Sequence, residues 1–263
     1  MSAVGASFAM RRAPVKTRAR RGAASGGTTT ARARAGRPST SATAATAGGD
    51  ADARATLAVF VSGGGSNMRA IDAACESGAV RGRVGVVVTN AADCGGAEWA
   101  RARGIPVLIY PRKKGTTDGL TAEELVEALT REHGAKFVLL AGYLRLIPPE
   151  LCRAYENRMV NIHPALLPSF GGKGMHGENV HKAVVASGVR YTGPTIHFVN
   201  EEFDKGKIIA QSVVPVLDDD DYNAVAARVL EQEHLLFPRV VAAMCDDRVR
   251  FRPDGVPYIV DSD

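Results

Sequence analysis

The chain has 263 residues, 45% of them hydrophobic, and a formal net charge of +5, enough to bury a substantial core as one large domain or two small ones. The basic excess is local: residues 1–49 hold nine of the 33 basic residues and no Asp or Glu, leaving 24 basic against 28 acidic residues, a net of −4, for the remainder. An acidic core argues against nucleic-acid binding, no apolar run approaches the ~20 residues of a membrane helix, and Cys75, Cys94, Cys152 and Cys245 have no Cys-x-x-Cys spacing that would signal a zinc site or a disulfide framework.

Residues 1–54 are rich in Ala, Ser, Thr, Gly and Arg, the composition of an organellar transit peptide. A basic arm for nucleic acid is the competing reading, but Phe8 is the lone aromatic residue available for base stacking. Removal is expected between about Ala44 and Ala55, ahead of the first apolar strand.

From Thr56 to Val61 the run is apolar and rich in β-branched residues, which predicts a strand. A turn, Ser62-Gly63-Gly64-Gly65-Ser66-Asn67, and a helix over Met68–Cys75 follow. Val84–Val88 reads as a second strand ending at Thr89-Asn90, Gly96–Arg103 as a helix, and Pro106–Tyr110 as a short third strand. Thr121–Glu132 reads as a helix opened by the capping box Thr-Ala-Glu-Glu, and Phe137–Ala141 as a buried strand. Strands alternating with helices imply right-handed βαβ units and a parallel sheet. After His163 the pattern changes. Glu178–Ser187 reads as a helix, Thr195–Val199 and Lys207–Val216 as two strands of a hairpin, and Asp221–Cys245 as a long helix that Pro238 could kink. The expected fold class is therefore α/β: one domain over residues 55–263, an open twisted sheet with a parallel Rossmann-like first half, then an antiparallel hairpin, with helices on both faces.

Chemistry concentrates in Asn161-Ile-His-Pro-Ala-Leu-Leu-Pro168. In an extended segment Asn161 and His163 project to one side, so an amide donor and a group titrating near neutrality face the same volume, a pairing suited to acyl transfer. Pro164 ends the strand, and strand ends are where open α/β sheets keep their sites. The Gly63–Asn67 turn lacks the Gly-Lys-Ser/Thr of a nucleotide loop. Asn90 also stands where a dinucleotide fold places an acid. A small phosphorylated substrate and an empty tight turn are the two readings left. Asp204, in the hairpin turn, is either a solvated turn residue or a carboxylate that orients His163 and raises its pKa. The acidic run Asp218–Asp221 is the exposed entry to the last helix. Metal binding has no support from histidine spacing.

Together, Ser62–Asn67, Ala141-Gly-Tyr-Leu-Arg-Leu-Ile147, Asn161–Pro168, Gly193-Pro-Thr-Ile-His-Phe-Val199 and Glu202-Phe-Asp-Lys-Gly206 resemble the phosphoribosylglycinamide formyltransferase family, in its plant and algal organellar form. The resemblance spans about Leu57 to Met244. It implies a formyltransferase-like fold and transfer of a formyl group from 10-formyltetrahydrofolate, the co-substrate, to phosphoribosylglycinamide in purine biosynthesis, without a metal. By that similarity Asn161, His163 and Asp204 are catalytic, with His163 protonated. Gly65, Ser66, Asn67 and Glu233 bind the substrate, and Leu144, Arg145, Leu146, Ile147, Asn161, Asn200 and Asp204 hold the folate. The partners implied are small molecules, with no nucleic acid and no membrane, and the protein is a monomer or homodimer in the plastid, the mitochondrion being the alternative compartment. The competing activities are a formyltetrahydrofolate deformylase, a methionyl-tRNA formyltransferase and a silent binding module. The first is expected to carry an additional regulatory domain, and the second a carboxy-terminal barrel and a basic surface, for which this sequence shows no pattern.

Overall fold

The computed structural model describes residues 54–261, so the transit-peptide reading of residues 1–54 lies outside the described residues except at Arg54. The first half alternates β1 (Ala55–Val61), α1 (Ser66–Glu76), β2 (Gly82–Thr89), α2 (Gly95–Ala102), β3 (Val107–Ile109), α3 (Ala122–Glu127), β4 (Phe137–Leu140), α4 (Pro149–Ala154) and β5 (Met159–His163). The second half comprises α5 (Glu178–Ser187), β6 (Tyr191–Thr192), β7 (Thr195–Phe198), β8 (Ile208–Gln211), β9 (Val214–Pro215), α6 (Tyr222–Cys245), β10 (Val249–Phe251) and β11 (Pro257–Ile259).

Seven strands form the central sheet in the order β3-β2-β1-β4-β5-β7-β8. Neighbours from β3 to β5 are parallel, and β7 and β8 are antiparallel. This is the expected class. β1 is covered on both faces, which is why its sequence is continuously apolar rather than alternating. Leu57, Val59 and Val61 enter one core with Met68 and Ile71 of α1 and Phe237, Val240 and Val241 of α6. Ala58 and Phe60 point the other way, toward Leu125, Leu129, Leu151 and Tyr155 beside α3 and α4. A third cluster, Val180, Val184, Val225 and Val229, joins α5 to the first turns of α6. Because β1 has β2 on one side and β4 on the other, the chain crosses over beside it. Ligand sites of open α/β sheets form at such a switch point, outside the carboxyl ends of the strands.

The capping box is present: Thr121 Oγ1 accepts from Glu124 N–H (3.3 Å), and Glu124 Oε2 accepts from Thr121 N–H (2.9 Å). The helix it opens does not stay regular to Glu132. From Ala128 to Glu132 it widens into a π-helical turn, where the Thr130 hydroxyl donates to the Val126 carbonyl (2.6 Å) and competes with the backbone for it. Three further details were not anticipated. α4 starts with Pro149 at its first turn, where the missing N–H costs nothing. The Lys207–Val216 run is broken at Ser212, and β9 leaves β8 to pair with β6. The short hairpin β10–β11 follows α6. α6 itself continues through Pro238.

Thr121→Ala removes one side of the capping box and is expected to destabilise the protein by about 1 kcal/mol, read as a lower urea midpoint with an unchanged slope; an unchanged midpoint would show that the cap contributes nothing.

Candidate active site

A cavity of about 640 Å³ opens where the carboxyl ends of β1, β4 and β5 meet the loops that follow them. β5 delivers Asn161 and His163 to it, and the alternation that puts both on one side is the one expected from their spacing. Asp204 enters from the β7–β8 hairpin. That approach depends on backbone geometry: Asp204 takes a left-handed conformation (φ 55), and a Cβ at Gly206 would overlap the Phe198 carbonyl.

The three groups converge. Asp204 Oδ2 lies 3.6 Å from His163 Nδ1 and accepts from Gly172 N–H at 2.9 Å. Its other oxygen is 3.6 Å from His197 Nε2. On the far side of the ring, His163 Nε2 is 2.8 Å from the Phe170 carbonyl, so that nitrogen carries a proton. Asn161 Nδ2 is 3.1 Å from His197 Nε2, and His197 Nδ1 is 2.7 Å from the Phe198 carbonyl. These partners assign His197 a proton on Nδ1 and a lone pair on Nε2. Asn161 thus spends one N–H on His197 and keeps the second for a ligand.

Burial is the largest influence on His163, which is 3% exposed, and it holds the imidazole below its ordinary 6.5. Asp204 and the Phe170 carbonyl pull upward and do not prevail, while His197 adds to the lowering. This runs against the expectation of a raised pKa: Asp204 acts in the anticipated direction, but desolvation outweighs it. For Asp204, burial is the largest influence and raises the carboxyl, yet its surroundings, the Gly172 amide among them, keep it below the usual aspartate value.

At another side of the cavity, Gly65 (φ 74) turns the chain into α1 with no side chain capping the helix. The first N–H groups of a helix have no intrahelical partner, and here the first such bond runs from Arg69 N–H to the Gly65 carbonyl. A side chain at Gly65 would crowd the Gly96 backbone. Of the expected substrate-binding set, Asn67 and Glu233 line the cavity, as do Ser62 and Gly63. Gly65 and Ser66 are not among the lining residues and offer backbone at the helix end instead. Asn67 Nδ2 donates to Glu233 Oε2 (2.7 Å). Burial drives the Glu233 carboxyl up to about 7 despite that bond, and the buried Asn67 Oδ1 has no partner.

The cavity lining also contains the whole expected folate set, Leu144, Arg145, Leu146, Ile147, Asn161, Asn200 and Asp204. Leu144 and Leu146 are each 49% exposed, an apolar surface left open at the mouth. Sequence reasoning missed His197 and His181. His197 faces Asn161 across the β5–β7 pairing; its one local signal was a polar residue between Ile196 and Phe198 in a buried strand. His181 is buried at the cavity edge, its Nδ1 without a partner, and burial first and His163 second lower its pKa. Among the described residues no group of three or more His, Cys, Asp or Glu is placed to hold a metal ion, and no helix is long and apolar enough to cross a membrane.

Residues 55–241 match the family model described as formyl transferase. The chain is 58% identical over 207 residues to a phosphoribosylglycinamide formyltransferase, chloroplastic, of Arabidopsis thaliana, a match covering 78% of this chain and 70% of that protein. Among solved structures, a phosphoribosylglycinamide formyltransferase of Anaplasma phagocytophilum is 32% identical with a TM-score of 0.70, over 79% of this chain and 94% of that one. A formyltetrahydrofolate deformylase of Pseudomonas syringae is 27% identical with a TM-score of 0.69, over 80% of this chain and 67% of that one.

Glu233 gives a signed prediction. Its folded pKa of about 7 exceeds its ordinary 4.5, so the protonated form is the one folding favours. Its contribution to stability is full below pH 4.5 and is lost as pH rises through 7, a difference of roughly 3 kcal/mol. Glu233→Gln stays neutral and is expected to be more stable than the parent at pH 8 but not at pH 4.5 in parallel thermal melts; the opposite ordering would reject the raised pKa.

Proposed function

The chain belongs to the formyl transferase family, and on that premise we propose that it transfers a formyl group from 10-formyltetrahydrofolate to the glycinamide amine of 5′-phosphoribosylglycinamide, a step of purine biosynthesis. The observation that carries this reading is the meeting of Asn161, His163 and Asp204 between an uncapped helix end and an exposed apolar wall. Backbone amides at a helix amino terminus favour a phosphate, so Gly65, Ser66 and Asn67 seat that end of the substrate. Glu233, with Asn67, receives the ribose hydroxyls. The segment Leu144–Ile147 and the loop from Asn200 to Asp204 enclose the pterin of the folate, and Leu144 and Leu146 offer it the apolar surface a flat ring requires.

Between the two ends the chemistry is proton and charge management. The free N–H of Asn161 donates to the formyl oxygen as it becomes negative. The His163–Asp204 pair takes the proton released by the attacking amine, directly or through a water, and returns it to the departing folate nitrogen. Asp204, already ionised, stabilises the imidazolium while it exists.

Transfer of the formyl group to water is the competing reading. The 58% identity to a named transferase, against 27% to a named deformylase, favours the amine as acceptor. The chloroplastic designation of that relative supports a plastid home and a transit role for residues 1–54.

Incubated with 10-formyltetrahydrofolate, the protein is expected to deformylate it only when phosphoribosylglycinamide is present; turnover with folate alone would support the hydrolase. Asn161→Ala and His163→Ala are each expected to lower kcat about a hundredfold or more, roughly 3 kcal/mol of barrier, with unchanged melting; near-normal turnover of either rejects the assignment. A fluorescent reporter carrying residues 1–54 is expected in plastids, and a diffuse cytosolic signal counts against the targeting role.

A further inference from the structure

Asn90, the residue that follows β2, takes no part in the chemistry above and does not line the cavity. It is nevertheless joined to the cavity wall by a short chain of hydrogen bonds. The Ser62 hydroxyl donates to Asn90 Oδ1 (2.5 Å). The same hydroxyl oxygen accepts from the Leu144 N–H (2.9 Å), and the Ser62 N–H donates to the Gly142 carbonyl (3.1 Å). Ser62 therefore grips the segment after β4 at two points, and Asn90 decides which way its hydroxyl faces.

That grip matters because the wall it holds has no regular structure. Residues 141–148 lie between the end of β4 and the start of α4, without helix or strand, so no ladder fixes the backbone of Tyr143–Ile147. A hydroxyl can rotate to donate in several directions. With a strong acceptor at Asn90, its proton is committed and a lone pair stays turned toward the Leu144 amide. Without that acceptor, the rotor is free and the Leu144 N–H loses its fixed partner. Asn90 occupies the position at which a dinucleotide fold would hold a ribose, and here its carboxamide is turned inward onto Ser62.

We propose that Asn90 is a positioning residue for the folate substrate, acting through Ser62 to hold the Leu144 backbone in the shape that receives the ring. The proposal rests on the assignment of that wall to 10-formyltetrahydrofolate. It predicts an effect felt mainly by one of the two substrates, because Gly65, Ser66, Asn67 and Glu233 take no part in these bonds.

The test uses the full chain with Asn90→Leu, which removes the acceptor, and Asn90→Asp, which keeps one. Asn90→Leu is expected to raise the KM for 10-formyltetrahydrofolate about tenfold, the loss of one well-made hydrogen bond, with the KM for phosphoribosylglycinamide within about twofold. Asn90→Asp is expected to return the folate KM to within about twofold of the parent. In the free protein, amide hydrogen exchange at Leu144 is expected to accelerate in Asn90→Leu and not in Asn90→Asp. Ser62→Ala, which cuts the same chain in the middle, should reproduce both effects and serves if Asn90→Leu does not fold. Equal rises in both KM values, an unchanged folate KM, or failure of Asn90→Asp to rescue overturns the proposal. A parent enzyme inactive with both substrates would instead reject the transferase reading, while the exchange measurement still judges the link from Asn90 to Leu144.

Discussion

The antiparallel pairing of β5 with β7 sets Asn161 opposite His197 and His163 opposite Thr195, and the active cavity is arranged around that register. Up to β5 the sheet is parallel, and a parallel neighbour would need a long crossover before the chain returned. Here the connection is long as well, passing through α5 and β6, but β7 enters antiparallel to β5, and the hairpin that follows brings Asp204 over the strand's end. Slipping the pairing by one residue would turn His197 to the other face of the sheet and leave Asn161 without the lone pair that orients its amide. The left-handed Asp204 and the side-chain-free Gly206 are the local conditions under which that return fits.

So many polar groups at one strand end are costly unless each finds a partner. The loop after β5 supplies two of them from its backbone: the Phe170 carbonyl for His163 and the Gly172 amide for Asp204. Satisfying the groups still leaves them dry, and dryness sets their charge. Burial pushes His163 toward its neutral form and Glu233 toward its protonated form, whereas the Asp204 carboxyl is held below the usual aspartate value. One cavity thereby shifts three titrating groups in different directions.

Under the transferase reading the cavity has a direction. The glycine turn offers unpaired amides and the positive end of a helix to an anion, while the Leu144–Ile147 wall offers exposed apolar surface to a flat ring. The reacting atoms meet between them, where the side chains of β5 point. Ser62 stands at the hinge of this arrangement: its main chain begins the glycine turn, and its hydroxyl holds the opposite wall.

Much of the scaffold was legible in the sequence because its signals are local. The buried run of β1, the limits of α5 at Glu178 and Ser187, the capping box at Thr121 and the common face of Asn161 and His163 each depend on a few neighbouring residues and on a period of two or 3.6. α4 and the β10–β11 hairpin are too short to show a period, and the break at Ser212 arises from a partner strand rather than from composition. The named roles of Asp204, Glu233 and the Leu144–Ile147 wall came from family resemblance, since nothing local separates Asp204 from an ordinary turn aspartate. Only the tertiary structure decided that His197 is the partner of Asn161, that Asn90 reaches Leu144 through Ser62, and that burial lowers the His163 pKa. Strand adjacency and desolvation are properties of the assembled chain: backbone ladders pair almost any sequence, and a side chain's charge depends on how much water the whole fold removes from it.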